Sequence, residues 1–494
     1  VAASCGGTDG SNLPRQASPE PTSSSGEARH ALHRTGSRNL TGRETSRAGR
    51  SAGKRVRSHR PRHCRSFLDR ILRSRLARNG VTALSEPGAF DPDVVELGRN
   101  LFFDKELSAN RDMACATCHH PKAMTGDGLH LSVGMGGTGR IPNRRVGPGR
   151  QFVPRNAPDL FNRGLPQWRR LLWDGRVEET KSGHLSTPAG AKLQSGLDGP
   201  LAALAMFPVT DRVEMRGSLR DPTPLSKIPG EDFNAIWSKL MDRLMSIPEY
   251  REMFRDAFPG QELADLQFAD AANALAAFQL AAFTFLDSPF DRYLRGDNKA
   301  LTRREKRGAM LFYGKAGCGD CHSGSLTTDQ KHHNIGAPQI GPGKPPFAPL
   351  DPGRFRIEDK RRLKYAFRTP PLRNVEVTAP YLHDGAYTSL RAVVEHHLEP
   401  AKSLRNYDAS ALRPDVRRHV HDSPSTIRDV LRTLDWRMRI REIVQRRGWY
   451  SIAVTDTEID LIIAFLKSMT SPSIQNLDDH VTPDSVPSGL PVDR

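Results

Sequence analysis

Cys115–His119 (CATCH) is the stretch of sequence that decides the fold, and Cys318–His322 (CGDCH) repeats its pattern in the second half of the chain. Both stretches have the form C-x-x-C-H. Two thiols three positions apart can form thioethers with the two vinyl groups of one haem, and the histidine that follows then lies under the iron as a ligand. A redox-active thiol pair needs no adjacent histidine, and a zinc site needs two further ligands at compatible spacing. The repeat therefore predicts two covalently bound c-type haems, one in each of two domains, held by Cys115, Cys118, His119, Cys318, Cys321 and His322.

The positive charge of the chain is concentrated at its N-terminus. Of a net charge of +17 over 494 residues, residues 1–85 carry +12, with 17 Lys and Arg against 5 Asp and Glu. Residues 1–65 are rich in Ser, Gly, Arg and Pro and poor in large apolar residues, which predicts a disordered tail. Such a composition is typical of a solvated linker or of a segment that contacts an anionic surface. The near-ordinary charge of the remaining residues gives no sign of a specific nucleic-acid partner.

Short features near the N-terminus bear on the location of the protein. The chain starts at Val1 rather than Met, so an N-terminal segment is expected to have been removed or omitted. Residues 2–6 (AASCG) are loosely similar to the end of a lipoprotein signal, in which Cys5 would carry a lipid anchor, and a stray cysteine in a tail is the alternative. No run of about 18 apolar residues occurs, so no membrane span is predicted. With covalent haem attachment, these features predict a periplasmic or otherwise extracytoplasmic protein.

Hydrophobic periodicity predicts a mainly α fold, because apolar residues recur at helical spacing and few alternating runs occur. The predicted helices are Asp91–Phe103, Asp232–Phe258, Glu262–Leu286, Leu301–Phe312, Thr388–Leu398, Ile427–Gln445 and Thr455–Met469, with helical spacing also from Phe67. The predicted organisation is a tail at 1–65, a first cytochrome c-like domain at 66–290, a second at 291–472 and a loose Pro-, Ser- and Asp-rich tail at 473–494.

Further stretches lie in a fixed order between the N-terminal tail and the C-terminus. They are Leu97–Arg99 (LGR), Leu107-Ser108, Arg155–Pro158 (RNAP), Trp173–Arg176 (WDGR), Val213–Met215 (VEM), Ser288–Arg292 (SPFDR) and Arg373–Gly385 (RNVEVTAPYLHDG). Together with both haem motifs, these stretches resemble the bacterial di-haem cytochrome c peroxidase family, which includes the MauG-like proteins. The resemblance implies two cytochrome c-like domains whose haems face a common interface. It also implies that the first haem reduces hydrogen peroxide and that the second takes electrons from a small protein of cytochrome c or cupredoxin type, and it leaves a homodimer open.

The same resemblance assigns residues to the first haem. In the best-known members a mobile loop carries a histidine that closes this site, and Met135 stands in that position here. A methionine on a Gly-rich loop can act as a weak ligand, but the departure favours an iron that is open or binds water. Glu214 matches the carboxylate that moves protons during peroxide cleavage, a task that needs one group able to take and return a proton. Trp173 matches a tryptophan between the two haems and is a candidate electron relay.

The second haem requires a sixth ligand after the His383–Gly385 turn. The family places Met or Tyr there, and this chain has His397, preceded by His396, in the same register. A second imidazole would give the iron a lower potential than a His/Met pair, and a surface histidine is the alternative interpretation. Asn156, Thr378 and Pro380 match family positions whose oxygens hold a calcium ion between the domains, and oxygen donors suit that cation.

The sequence thus predicts a peroxidase that reduces hydrogen peroxide to water. Two alternatives remain: a MauG-like oxidase that acts on a protein or organic substrate, and an electron-transfer cytochrome with both irons closed.

Overall fold

The computed structural model describes residues 67–440 and 453–494, and these residues are mainly helical. The helices of six or more residues are Phe67–Arg78, Pro92–Phe103, Pro200–Ala205, Phe233–Met245, Pro248–Ala257, Phe268–Ala282, Pro289–Leu294, Arg303–Phe312, Leu390–Leu398, Pro400–Arg405, Pro424–Arg432 and Asp456–Lys467. Shorter ones are Cys115–Cys118, Pro224–Lys227, Phe355–Glu358, Pro414–Arg417 and Leu477–Val481. No helix among the described residues is long and apolar enough to cross a membrane.

Strands are few and short. Arg170–Leu171, Val177–Glu179 and Leu185–Ser186 form an antiparallel sheet in that order, with Arg170 opposite Glu178 and Glu179 opposite Leu185. His332–His333 pairs antiparallel with Phe367–Arg368. Both sheets lie near the cavities described below and shape their walls.

Helix ends follow local chemistry. Asp91 accepts a hydrogen bond from the Asp93 backbone N–H at the start of Pro92–Phe103, with Pro92 in the first turn. Thr302 with Glu305, and Thr455 with Glu458, form capping boxes at the helices Arg303–Phe312 and Asp456–Lys467. These two helices lie at the expected places in the sequence.

The same helix crossing occurs in each half of the chain. Pro92–Phe103 packs on Phe268–Ala282, and Arg303–Phe312 packs on Asp456–Lys467. A Cβ atom at Gly98 would clash with the Ala274 carbonyl, and a Cβ atom at Gly308 would clash with the Leu461 carbonyl. Glycine at these points lets the backbones approach closely. Each crossing belongs to its own hydrophobic cluster, so the two largest cores of the described residues are built in a similar way.

Both described ends of the chain pack on the half that is distant in sequence. In the helix Phe67–Arg78, Leu72 and Leu76 belong to the second core, and Asp69 forms an ion pair of 2.8 Å with Lys306. At the other end, the segment 473–494 joins the first core through Ile474, Leu477, Val481 and Val486. The expectation of a loose tail at 473–494 is therefore corrected, as is the assignment of the first helix to the domain 66–290.

Several other boundaries differ from the prediction. The helix expected at Asp232–Phe258 divides before Pro248, because proline removes a helical hydrogen-bond donor and restricts the residue before it. Glu262–Leu286 is helical only over Phe268–Ala282. The helix expected at Ile427–Gln445 is interrupted: one helix is Pro424–Arg432, residues 436–440 are helical again, and the part of that prediction beyond residue 440 lies outside the described residues. The tail 1–65, with Cys5, also lies outside them.

Candidate haem sites

The first cavity lies next to the motif Cys115–His119. It holds about 1100 Å³ of empty space, part of it open to solvent, and Cys115, Cys118 and His119 line it. The short helix Cys115–Cys118 presents both cysteines, and the histidine follows at its C-terminal end. Burial raises the pKa of Cys115 to about 12 and also raises that of Cys118. Two cysteines three positions apart that are followed at once by a histidine, all three in one cavity wall, fit covalent haem attachment.

The second cavity lies next to the motif Cys318–His322. It holds about 1520 Å³ of empty space, also partly open to solvent, and Cys318, Cys321 and His322 line it. Its remaining wall is largely apolar, from residues such as Phe312, Leu372, Val393 and Leu466. A largely apolar wall around a cysteine pair and a histidine is suited to a covalently bound haem.

The two motif histidines are held in the same way. His119 Nδ1 lies 3.0 Å from the Thr125 carbonyl, and His322 Nδ1 lies 3.1 Å from the Thr327 carbonyl. Both threonines have left-handed backbone, with φ of 62° and 55°, which is rare for β-branched residues. Burial lowers the pKa of His119 and lowers that of His322 to about 4. Each ring is thus neutral with its Nδ1 engaged, so that Nε2 is the nitrogen left to bind a metal.

His397 lies close to His322 in the wall of the second cavity. It comes from the helix Leu390–Leu398, where its Nδ1 contacts the Val393 carbonyl at 2.7 Å. The centroids of the His322 and His397 rings are 6.4 Å apart. Two imidazoles that bind one metal from opposite sides, with metal–nitrogen bonds of about 2 Å, have centroids roughly 6 Å apart. The spacing fits one iron between them. His396 instead contacts the Tyr387 hydroxyl at 2.9 Å and is not among the residues that line the cavity.

Glu214 lies in the wall of the first cavity, together with His119. It sits in a tight turn, Arg212–Arg216, at whose start the Asp211 carboxylate accepts hydrogen bonds from the Val213 and Glu214 backbone N–H groups at 2.8 and 3.2 Å. Burial raises the pKa of Glu214 to about 7, and the Asp211 carboxylate adds to the rise. A carboxyl group that titrates near neutral pH can both take and give a proton there.

Met135 is not brought to either cavity. Its backbone N–H donates to the Glu214 carbonyl at 2.9 Å, but its side chain is buried against Gly217 in the first core. It is absent from the residues that line the first cavity, where His119 is the one histidine among the described lining residues. The structure therefore gives no support to Met135 as an iron ligand. Met113 and Met215 do line this cavity, both as buried members of the first core.

Trp173 lines both cavities, as do Asn156, Pro158, Asp159, Arg163 and Arg368. Its indole N–H donates to the Asn156 carbonyl at 3.0 Å, and its ring meets the His383 ring edge-on at 6.5 Å. The side chain thus stands in the wall that the two cavities share. Asn156, Thr378 and Pro380, the proposed calcium ligands, all line the second cavity.

Sequence reasoning missed a group of charged residues around the first cavity. Arg155 forms ion pairs with Asp174 at 2.8 Å and Asp351 at 2.6 Å, and all three are buried. Arg155 and Asp174 belong to stretches used for the family resemblance, so a signal for them existed. Lys344 also lines the cavity, but it comes from a Gly- and Pro-rich loop with no pattern that would have singled it out.

The fold and the two cavities together fit a haem oxidoreductase. The sequence profile described as di-haem cytochrome c peroxidase matches residues 92–299. The methylamine utilization protein MauG of Methylorubrum extorquens is 32% identical over 328 residues, which cover 66% of this chain and 75% of that protein. Cytochrome c551 peroxidase of Pseudomonas aeruginosa is 33% identical over 303 residues, covering 60% and 70%. The chain belongs to the di-haem cytochrome c peroxidase family, and it is an oxidoreductase of the cytochrome c peroxidase type.

Solved structures show the same fold. The crystal structure of a MauG-like protein associated with microbial copper homeostasis aligns with a TM-score of 0.55 at 25% identity, covering 82% of this chain and 96% of that one. The diheme peroxidase BthA from Burkholderia thailandensis aligns with a TM-score of 0.50 at 20% identity, covering 84% and 96%. The family implies two c-type haems, and the two cavities are where this chain's residues fit them.

Proposed function

We propose that the first cavity is the place where hydrogen peroxide is reduced to water and that the second receives the electrons for this reaction. One asymmetry carries the proposal. Among the described residues, the first cavity is lined by a single histidine, His119, and by a buried carboxyl group, Glu214. The second is lined by four histidines, of which His322 and His397 have ring centroids 6.4 Å apart. A centre with a free position can bind peroxide, and a centre closed by two protein ligands is suited to electron transfer.

The protein's part in the reaction is to move protons and guide electrons. When bound at His119, the haem supplies the iron at which the oxygen–oxygen bond is broken. Glu214 takes the proton from the near oxygen of peroxide and returns it to the far oxygen, which leaves as water. Two electrons and two further protons convert one peroxide to two waters. Trp173, which lines both cavities, relays the electrons, and His322 with His397 holds the centre that receives them from a small cytochrome c or cupredoxin.

Electron paramagnetic resonance of the oxidised protein, before and after peroxide, tests this assignment. We expect a high-spin signal from the first haem that disappears with peroxide and a low-spin signal from the second. Two low-spin signals that do not respond to peroxide would contradict it, because Met113, Met215 or another residue would then close the first site and leave an electron-transfer cytochrome.

A MauG-like oxidase is the second candidate. The similarity to MauG and the position of Met135, which is turned away from the cavity, favour it, since an open site needs no prior reduction. The discriminating measurement is peroxide consumption without any reduced cytochrome donor but with a candidate organic or protein substrate. Substrate-dependent turnover under these conditions would support the oxidase, and turnover only with the donor would support the peroxidase.

Calcium and location are further parts of the proposal. Asn156 contributes to the walls of both cavities, and Thr378 and Pro380 to that of the second, so a calcium ion held by their oxygens would link the walls. Removing calcium with a chelator should then slow electron transfer between the haems, with recovery on adding it back.

Covalent haem attachment supports a periplasmic or otherwise extracytoplasmic location, which fractionation of the native cells would test.

A further inference from the structure

Lys344 is a buried cation in the wall of the first cavity. Its side chain lines the first cavity together with Glu214 and His119, and the residue is 8% exposed. No hydrogen bond or ion pair of its ammonium group occurs among the described residues. Burial lowers the pKa of Lys344, as expected for an ammonium group removed from water. The charges of the Asp211 and Glu214 carboxylates oppose that lowering, and an ammonium group without a hydrogen bond at such a place is suited to hold an anionic ligand.

The loop that carries Lys344 is fixed in place. The Lys344 backbone N–H donates to the Leu350 carbonyl at 3.2 Å, and its carbonyl accepts from the Phe347 N–H at 2.9 Å. The loop ends at Asp351, which forms the buried ion pair of 2.6 Å with Arg155. The lysine therefore reaches the first cavity from the second half of the chain on a backbone that is held at both ends.

The other cations of the cavity each have at least one hydrogen-bond partner, although the buried Nη1 of Arg163 has none among the described residues. Arg155 and Arg176 share the Asp174 carboxylate at 2.8 and 3.2 Å, and Arg163 pairs with Asp159 at 2.9 Å. Arg368 donates to the Leu172 and Thr369 carbonyls, each at 3.0 Å. Among the described charged residues of this wall, Lys344 and Glu214 are the two whose side chains have no hydrogen bond or ion pair, although their charges attract each other.

We propose that the Lys344 ammonium group makes the first cavity a binding site for small monovalent anions at the open iron position. In peroxide reduction the same charge stabilises the negative charge that develops on the departing oxygen until Glu214 returns its proton. The inference rests on the proposed function, because it requires an open position in the first cavity. It adds a positioning residue for the reaction and a ligand class, of which azide and fluoride are simple members.

Azide binding to the full-length, haem-loaded oxidised protein tests the inference. Azide is titrated at neutral pH and followed by the optical spectrum of the first haem. In Lys344→Met, which keeps the side-chain length, we expect the dissociation constant to rise about 10- to 100-fold, the range for losing a hydrogen bond to a charged group. Lys344→Arg should bind azide nearly as well as the unchanged protein. Imidazole, a neutral ligand, should bind equally to all three.

A matched control is Lys360→Met, since Lys360 is exposed, pairs with Glu358 at 2.7 Å and lies away from both cavities. It should leave azide binding unchanged. Unchanged azide affinity in Lys344→Met would overturn the inference, and a changed haem midpoint potential in that variant would then show that the lysine pairs with a haem carboxylate instead. Equal losses for azide and imidazole would also overturn it, because they indicate a distorted cavity. If the protein without any substitution binds neither azide nor imidazole, the proposed function is overturned as well.

Discussion

In both halves of the chain a cysteine pair precedes a histidine whose Nδ1 contacts a threonine carbonyl, and in both a glycine lets two helices cross closely. The first cavity then adds Glu214 and Lys344, whose side chains have no hydrogen bond or ion pair among the described residues, whereas the second adds His397 and a largely apolar wall. The haem-holding parts lie close together in sequence, as His119 and Thr125 do. The parts that differ come from distant segments. One scaffold can therefore serve two tasks, because the residues that face the histidine decide the chemistry.

The largest effect on activity is expected from Glu214→Gln, which removes the carboxyl group that most clearly distinguishes the first cavity from the second. The amide cannot exchange the proton, so peroxide turnover should fall about 10²- to 10⁴-fold. The measurement is peroxide-dependent oxidation of a reduced cytochrome donor, with Glu262→Gln, at an exposed position, as the control. Unchanged turnover would mean that another group moves the proton and that the carboxyl group is structural.

His397→Ala should make the second cavity resemble the first. With one of the two facing histidines removed, the low-spin signal of the second haem should be lost, and cyanide should bind at both centres rather than one. His396→Gln is the matched control, because His396 is the adjacent histidine but is not among the residues that line the cavity. A low-spin signal that survives in His397→Ala would identify a different sixth ligand.

How much of the structure could be predicted from the sequence depends on whether the residues that form a feature lie close together in the chain. The haem motifs are local chemistry, since two thioethers and a ligand require fixed spacing, and both motifs lie in cavity walls. Helices with strong caps, such as Arg303–Phe312, were also predictable. The Met135 side chain was not, because a neighbour distant in sequence, Gly217, decides where it packs. Lys344 lies on a loop without periodicity, and only the fold brings it to Glu214.

Trp173→Phe tests whether the wall shared by the two cavities carries electrons. The change removes the indole and its hydrogen bond to the Asn156 carbonyl. Electron transfer between the haems, followed by rapid mixing of half-reduced protein with peroxide, should slow about tenfold, equivalent to ~1.4 kcal/mol in the barrier. Trp168→Phe is a close control, since its indole donates to the Asn162 carbonyl at 2.7 Å but the residue lines neither cavity. Equal slowing in both variants would point to altered packing instead.

The pH dependence of the reaction with peroxide tests the role of Glu214 in the first cavity. Burial raises the pKa of Glu214 from an ordinary 4.5 to about 7, with Asp211 adding to the rise and Lys344, Arg176 and Arg155 opposing it. Only the carboxylate form accepts the proton of peroxide. The rate of reaction of the oxidised protein with peroxide should therefore rise as the pH increases through about 7. Glu214→Gln should lack this step. A profile that is flat across neutral pH would show that this carboxyl group does not set the rate.

The smallest effect is expected from Val481→Ala, which tests whether the two halves depend on segments distant in sequence. Val481 is 7% exposed and belongs to the first core, although it lies beyond the last helix of the second core. Removing its methyl groups should lower the free energy of unfolding by about 1–2 kcal/mol. Urea denaturation measures this, with Asp484→Ala at a fully exposed position as the control. No loss would mean that the segment is loose in solution. If the free energy of unfolding falls as expected, the low-spin signal from the second haem should stay unchanged, because the residue stabilises only the first core.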